Sequence, residues 1–143
     1  MSEQTDIYPA YFTTRFRVSP PVPAWPGQFV IVTACATTGE RWTDEQNARA
    51  NAQLLQHIES LGTWFYPVTG YDPTTGHAER GWAIDGPPSL GLELGRAFLQ
   101  DAIFVVEADK LSVCACSTGK YAEVGSFSTR VDVELPNFPN FNE

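Results

Sequence analysis

Hydrophobic and polar residues alternate with different periods along this chain, and the change of period marks its structural elements. Aromatic and β-branched residues recur at every second position over residues 11–18 (YFTTRFRV), which is typical of a half-buried strand. Residues 29–34 (FVIVTA) form a nearly continuous apolar run that begins after Gly27 and ends at a polar turn. Such a run indicates a strand covered on both faces. We therefore expect an N-terminal strand followed by a buried one.

Two segments have the signals of α-helices. Thr43 and Gln46 have the spacing of a capping box, and no glycine or proline interrupts the chain from there until Gly62. The second helix is expected to begin at residues 87–89 (PPS), because proline suits the first helical turn. It leads directly into another buried strand at residues 102–107 (AIFVVE). These signals predict one long helix and one shorter helix.

The remaining strands are shorter and bounded by turn residues. Residues 64–69 and 79–84 are predicted to be strands joined by a glycine- and proline-containing loop, and Pro67 indicates an edge position or a bulge in the first of them. Residues 111–116 alternate cleanly after a tight turn, which predicts a hairpin with the preceding strand. One more strand within residues 121–131 is an open alternative.

Together these elements predict an α+β fold. The expected architecture is a mixed sheet with two main helices packed mostly on one face. Its core is a ferredoxin-like β-α-β-β-α-β unit with an extra N-terminal strand and a C-terminal hairpin strand. A single α/β domain is expected over residues 1–134, while residues 135–143, with two prolines and three asparagines, are expected to form an irregular tail. A hydrophobic content of 43% over 143 residues is sufficient for a real core.

Charge and cysteine content narrow the function classes. The net charge is -8 with nine scattered basic residues, which argues against direct nucleic-acid binding, because that binding depends on Lys and Arg neutralising phosphates. Three cysteines make neither an even disulfide set nor a paired CxxC array. The chain shows no basic and apolar leader and no apolar run of about 18 residues. We expect a cytoplasmic protein with reduced thiols and no membrane partner.

Two asparagines are unexpectedly placed on the apolar side of the long helix. At about 100° per residue, Leu54, Ile58 and Leu61 define one stripe. Asn47 and Asn51 fall at the centre of that stripe, so both carboxamides are expected to face the sheet. Either they satisfy backbone groups of a neighbouring loop, or they form the wall of a pocket beside the C-terminal end of the buried second strand.

Other chemically interesting residues have weaker signals. His77 and Glu79 share one side of a strand start and could act as an acid and base pair, although a turn histidine beside a solvated glutamate explains the same pattern. Cys114 and Cys116 do not have metal-ligand spacing with His57 or His77, so they are expected to be packing residues. None of the nucleophile-elbow, phosphate-loop, zincin or dinucleotide motifs occurs. We expect no metal and no cofactor.

The chain resembles a bacterial family of uncharacterised proteins, the domain of unknown function 3293, over about residues 10–116. In that family the buried strand and its turn usually read like ITAxNP, whereas here Ala34 is followed by Cys35, Ala36 and Thr37. The resemblance implies no established substrate, cofactor or reaction. The matching segments are AYFTTRFRV, FVIVTA, DEQNARANAQLL, GHAERGW and GRAFLQDAIFV.

Some of the positions that match the family are polar and are the candidate ligand-binding residues. The two helix asparagines are among them, so the resemblance and the helix projection point to the same side chains. These candidates are Thr33, Asn47, Asn51, Glu79 and Gln100.

Three functions from different classes are compatible with these observations. The first is a ligand-binding or protein-interaction (regulatory) domain, in which the polar candidates contact a small ligand or a protein partner. The second is an enzyme acting on a small polar metabolite or nucleotide, with Glu79 transferring a proton and His77 assisting. The third is an acidic inhibitor of a nucleic-acid enzyme. A homodimer is also possible, because Phe138 and Phe141 in the tail could dock on a second copy.

Overall fold

One eight-stranded mixed sheet and two α-helices make up the described part of the chain, which is residues 9–34 and 43–134 of the computed structural model. The predicted tail at 135–143 and the turn at 35–42 lie outside these residues. The strands are β1 (Arg15–Val18), β2 (Gln28–Thr33), β3 (Phe65–Tyr71), β4 (Ala78–Asp85), β5 (Ala102–Glu107), β6 (Lys110–Ala115), β7 (Tyr121–Ser126) and β8 (Val131–Val133), and the helices are α1 (Asp44–Leu61) and α2 (Pro88–Ala97).

The predicted α+β class and mixed sheet are confirmed. The spatial order is β7-β6-β5-β2-β4-β3-β1-β8, and all neighbours are antiparallel except β1 and β8, which are parallel. From β2 to β5 the chain runs β-α-β-β-α-β, and these four strands occupy the middle of the sheet in the order β5-β2-β4-β3. Strands β1, β6, β7 and β8 extend this central unit on both sides.

The long helix begins and ends where its sequence signals place it. The Thr43 hydroxyl accepts from the backbone N–H of Gln46 over 3.0 Å, and the Gln46 side chain accepts from the backbone N–H of Thr43 over 2.8 Å, which completes the predicted capping box. Gly62 ends the helix in the left-handed conformation, with φ 69°. Leu54 and Ile58 are fully buried against the sheet.

The short helix packs closely on the sheet because its buried face carries glycines. A Cβ atom at Gly91 would lie 2.5 Å from Cδ1 of Ile103, and one at Gly95 would lie 2.7 Å from Sγ of Cys116. Both distances are shorter than real Cβ contacts. The absence of side chains at these two positions therefore allows α2 to pack directly on β2 and β5.

Two apolar layers fill the two sides of the sheet. On one side, residues of β2, β4 and β5 pack under Leu54 and Ile58 of α1 and Leu94 of α2. On the other side the sheet curls onto itself: the rings of Phe16 in β1 and Phe104 in β5 meet edge-on with centroids 5.0 Å apart, although three strands separate β1 from β5. The curl thus buries the face that no helix covers.

The N-terminal strand is shorter than predicted. Residues 9–12 form a 3-10 helix (Pro9–Phe12), so that only Arg15–Val18 pairs as a strand. The physical reason is that Tyr11 packs on Phe104, with ring centroids 5.9 Å apart, and covers the inside of the curl. The aromatic residues at the start of the segment thus serve packing instead of strand pairing.

Strand β3, which contains Pro67, is not an edge strand, but β1 leaves the position of Pro67 unpaired on the side away from β4. Strand β3 lies between β4 and β1, and Pro67 is opposite Trp82 of β4. It lies beyond the last residue pair that joins β1 to β3, Arg17 and Thr69. Proline is tolerated inside the sheet order because β1 does not pair with the chain at this point.

The two ends of the sheet come together through the segment after β7. A second 3-10 helix, Phe127–Arg130, connects β7 at one end of the sheet to β8 at the other. The guanidinium of Arg130 donates to the backbone carbonyls of Thr14 (2.9 Å), Phe12 (3.2 Å) and Val124 (2.6 Å). Arg130 therefore bridges the N-terminal segment and β7, which are far apart in the strand order.

The end of the curl at the start of β2 is covered by the proline-rich connection between β1 and β2. Trp25 stacks on Phe29 with ring centroids 5.4 Å apart and packs edge-on against Phe127 at 5.1 Å. The hydroxyl of Tyr66 donates to the carbonyl of Pro21 over 2.8 Å. None of the described helices is long and apolar enough to cross a membrane.

Candidate functional site

Three of the five polar candidates gather at the end of β2 that points away from the proline-rich connection. Because β4 and β5 both run antiparallel to β2, their first residues lie beside its last residue. Thr33 ends β2, Glu79 is near the start of β4, and Gln100 immediately precedes the turn into β5. Three separate chain segments thus supply one group of polar side chains.

Direct contacts join these three side chains, which we call the acceptor group (Thr33, Glu79 and Gln100). Oγ1 of Thr33 lies 3.0 Å from Oε1 of Gln100 and 3.4 Å from Oε1 of Glu79. The side-chain amide of Gln100 donates to the carbonyl of Phe98 over 2.9 Å, which orients its Oε1 toward Thr33. Gln100 is 8% exposed. The group is therefore recessed and held in place from several sides.

One hydroxyl proton cannot serve two acceptors at the same time. The geometry favours Gln100, because 3.0 Å is a normal hydrogen-bond length and 3.4 Å is long for an O–H donor. An ionised carboxylate accepts about four hydrogen bonds. Glu79 therefore retains acceptor capacity on the side that faces Thr33.

His77 lies at the outer side of the acceptor group. Its Nε2 is 3.0 Å from Oε2 of Glu79, and the two side chains are 69% and 30% exposed. The loop before it is closed by the backbone N–H of Asp72, which donates to the carbonyl of His77 over 2.9 Å. The structure thus brings together the two residues that the sequence suggested as an acid and base pair, at the mouth of a group containing Thr33 and Gln100.

Gly81 makes room for Thr33 and was not among the predicted site residues. The two are directly opposite each other on β4 and β2. A Cβ atom at Gly81 would lie 2.7 Å from Cγ2 of Thr33 and 2.8 Å from the carbonyl oxygen of Val32. An isolated glycine within a strand pattern often marks such a close approach, so the signal was present in the sequence.

The two helix asparagines lie on the other face of the sheet. Oδ1 of Asn51 accepts a hydrogen bond from Nε1 of Trp82 over 3.0 Å, and Trp82 packs in the layer covered by the helices. Asn47, one turn earlier on α1, is partly buried. The predicted residues are thus divided into the acceptor group on one face and the α1 asparagines on the other. The partner of Asn51 is an indole, not the loop backbone considered from the sequence.

A family comparison gives the chain its classification. The model of the family described as "Protein of unknown function (DUF3293)" matches residues 32–103, half of the 143-residue chain. The chain belongs to this family. The predicted membership is thereby confirmed. No curated protein and no solved structure matches this DUF3293 protein.

The family match includes the whole acceptor group of this DUF3293 protein. It starts one residue before Thr33 and continues through both helices, Glu79 and Gln100 into β5. Strands β1, β6, β7 and β8 lie outside it. The matched segment is therefore the part of the fold that places these three side chains together.

Two of the three thiols of this DUF3293 protein are packing groups within the helix-covered layer. Cys114 and Cys116 are 0% and 4% exposed, and neither forms a disulfide. Burial raises the pKa of Cys114, and it raises the pKa of Cys116 to about 11, so both thiols are protonated at neutral pH. No group of three or more His, Cys, Asp or Glu side chains suited to a metal occurs within residues 9–34 and 43–134.

Proposed function

We propose that this DUF3293 protein binds a small polar ligand, which donates hydrogen bonds to the acceptor group. The observation that carries the proposal is the position of Thr33 Oγ1 between Gln100 Oε1 at 3.0 Å and Glu79 Oε1 at 3.4 Å. The Thr33 proton goes to the closer oxygen, that of Gln100, so a donor from outside would complete the hydrogen bonding of Glu79 Oε1. Recessed polar groups that converge from several segments are typical of ligand sites.

The low exposure of the acceptor group favours a small ligand over a flat protein surface as its binding partner. Gln100 is 8% exposed and the Glu79 side chain 30%, so only a narrow chemical group can reach both. The three side chains are supported by strand pairing and by the Gln100 bond to Phe98. Little ordering of the site would be required on binding, and such preorganisation increases affinity.

Acid and base catalysis is the second candidate function, and the His77 and Glu79 pair favours it. If Nε2–H of a neutral His77 donates to Glu79 across the 3.0 Å contact, Nδ1 becomes the basic nitrogen. The substrate would then be a small polar metabolite or nucleotide bound at the acceptor group. In that case His77→Ala would abolish turnover and leave binding intact, whereas Glu79→Gln would remove both.

Native mass spectrometry of the protein purified without added ligands tests the binding proposal. The informative variant is Glu79→Gln, which preserves side-chain size and removes the charge. The matched control is Glu93→Gln on α2, which removes an exposed carboxylate away from the acceptor group. We expect a bound small molecule in the wild type and in the control, and its loss in Glu79→Gln.

The opposite result is also informative. A bound molecule that remains in Glu79→Gln would place the ligand elsewhere. A wild type that is empty, and whose melting temperature does not change across a panel of small amines, alcohols and amides, would overturn the proposal. The circular dichroism spectrum of each variant shows that the fold is retained.

Broader expectations about location and partners accompany this proposal. The unpaired thiols of Cys114 and Cys116 support a cytoplasmic location. An acidic inhibitor of a nucleic-acid enzyme remains a prediction, and its test is whether the acidic residues gather on one face. A homodimer also remains a prediction, which a measurement of molecular mass in solution would test.

A further inference from the structure

Two guanidinium groups on β1 and β4 have no oxygen partner, and both lie beside the same threonine. Four of the six described arginines donate to a carboxylate or a backbone carbonyl, namely Arg15, Arg49, Arg96 and Arg130. Arg17 and Arg80 make no such bond within residues 9–34 and 43–134. Thr69 of β3 is directly opposite Arg17 on one side and directly opposite Arg80 on the other.

These three residues form a row across one face of the sheet. Directly opposite residues on neighbouring strands point to the same face. It is the face that carries the helices, because Trp82, two positions after Arg80 on β4, packs in the helix-covered layer. The helices pack mainly on β2, β4 and β5, and they leave Arg80 exposed and Arg17 and Thr69 half-buried. Strands lie about 4.8 Å apart, so the Cα atoms of Arg17 and Arg80 are about 10 Å apart, and both side chains can reach a group above Thr69.

Tyr71 fixes the position of the Arg17 guanidinium on this face. Cζ of Arg17 lies 4.4 Å from the centroid of the Tyr71 ring, which is a cation–π contact. The Tyr71 hydroxyl donates to Asp132, and Asp132 also accepts from Arg15 over 2.8 and 3.0 Å. One of the two guanidinium groups is therefore held in place before any ligand binds, which lowers the cost of binding.

The same face has an excess of positive charge on an acidic protein. On this face β1, β3, β4 and β8 carry three arginines, Arg15, Arg17 and Arg80, and one carboxylate, Asp132, which gives a local charge of +2. The whole chain has a net charge of -8. Basic residues that are scattered along the sequence are thus brought together by strand pairing. A local positive charge attracts a compact anion, whereas the overall charge repels extended polyanions such as nucleic acids and anionic membranes.

The donors in this row match a phosphate group better than a carboxylate. A phosphate monoester has three terminal oxygens and a charge between about -1.5 and -2 at neutral pH. Each guanidinium can bind two oxygens through its planar fork. The Thr69 hydroxyl has no side-chain hydrogen bond in the part of the chain that the structure describes, so it can donate to a third oxygen. A carboxylate has one charge and two oxygens, which a single guanidinium satisfies.

We propose that Arg17, Thr69 and Arg80 bind the phosphate group of a small phosphate monoester. Arg17 donates from β1, Arg80 donates from β4, and the Thr69 hydroxyl donates from the strand between them. The acceptor group faces the other side of the sheet, so this phosphate site is separate from the proposed ligand site and does not depend on it.

Titration of ¹⁵N-labelled protein with glycerol 2-phosphate tests the site, at constant ionic strength and about pH 7.5, where the ester is a dianion. We expect saturable shifts of the amide signals of Arg17, Thr69 and Arg80, with a dissociation constant of about 1–10 mM. Acetate should bind at least about fivefold more weakly. Arg80→Gln and Arg17→Gln should each weaken binding of the ester about fivefold, and the double variant should show no saturable binding.

The matched control is Arg49→Gln, which removes the same charge from α1, where Arg49 pairs with Glu45. It should bind the ester as the wild type does. Absence of saturable shifts in the wild type would overturn the inference, and so would equal weakening by Arg49→Gln and Arg80→Gln. Acetate that binds as tightly as the ester would show that the phosphate class is wrong. Vesicles of phosphatidic acid that bind through Arg80, without binding of the soluble ester, would also overturn it and assign the arginines to a lipid surface.

Discussion

The indole N–H of Trp82 donates to Oδ1 of Asn51 over 3.0 Å and thereby connects the first half of α1 to β4. Leu54 and Ile58 attach the second half of the helix through apolar contacts. The polar bond therefore supports the first half of α1, which has no fully buried apolar residue. This relationship gives Asn51 a structural role.

Replacing Asn51 should lower the free energy of unfolding, because the indole N–H of Trp82 loses its acceptor. We expect Asn51→Ala to reduce the free energy of unfolding by about 1–2 kcal/mol, because a partly buried donor loses its acceptor. Asn51→Asp keeps an acceptor oxygen and should lose less. Urea unfolding followed by tryptophan fluorescence measures both, with the exposed Gln53→Ala as control. Equal stability of Asn51→Ala and the control would show that the bond contributes nothing.

Gly81→Ala should be destabilising because the added methyl group has no room. The two close contacts, to Thr33 and to the backbone of Val32, predict a loss of about 1–3 kcal/mol. Gly27→Ala is the matched control, since nothing lies within 4 Å of a Cβ atom there. Adding Thr33→Ser should restore part of the loss by removing Cγ2. Thermal unfolding with no difference between Gly81→Ala and Gly27→Ala would contradict the close packing.

Removing the guanidinium of Arg130 should weaken the closure of the sheet. Three backbone carbonyls lose a charged donor in Arg130→Ala, so we expect a loss of about 2–3 kcal/mol of unfolding free energy. Arg49→Ala removes only an exposed pair with Glu45 and should cost less than about 0.5 kcal/mol. Hydrogen exchange should also accelerate in β1. Unchanged exchange in β1 would argue against the bridging role.

Acid should weaken the contact between β1 and β8. The Arg15 guanidinium, which donates to Asp132 over 2.8 and 3.0 Å, lowers the pKa of Asp132 below its usual 3.8. Since the folded-state pKa is the lower one, the stabilisation is present above about pH 4 and is lost as the pH falls through the folded value. The free energy of unfolding of Asp132→Asn should therefore be lower than that of the wild type near neutral pH, and the two values should converge in acid. Parallel stability curves for the two proteins would contradict this linkage.

The elements of the fold that could be predicted are those whose signals lie within a short stretch of sequence. The capping box at Thr43 and Gln46 and the stop at Gly62 define α1 in both the sequence and the structure. The curl was not predictable, because it depends on contacts such as that between Phe16 and Phe104, which are far apart in the chain. The ferredoxin-like label stays a prediction, since the central strands are extended on both sides.

The residue types of the candidate site were predictable from the sequence, but which of these residues come together was not. Helical periodicity correctly predicts that Asn51 faces the sheet, but it contains no information on which face of the sheet Glu79 occupies. That face depends on strand register. Gly81 lies opposite Thr33, and Glu79, two positions before Gly81 on β4, therefore points to the same face of the sheet as Thr33.

The pairing of β1 with β8 has a consequence for synthesis of the protein on the ribosome. Phe16 pairs with Val131, so β1 cannot pair with β8, its outer neighbour, until nearly all of the described chain has been synthesised. Until then, Arg15 and Arg17 at the edge of β1 have no strand beside them on that side, and the emerging chain presents an open template for wrong strand pairing. Nascent chains stalled before residue 131 should therefore be the species that chaperones bind most strongly.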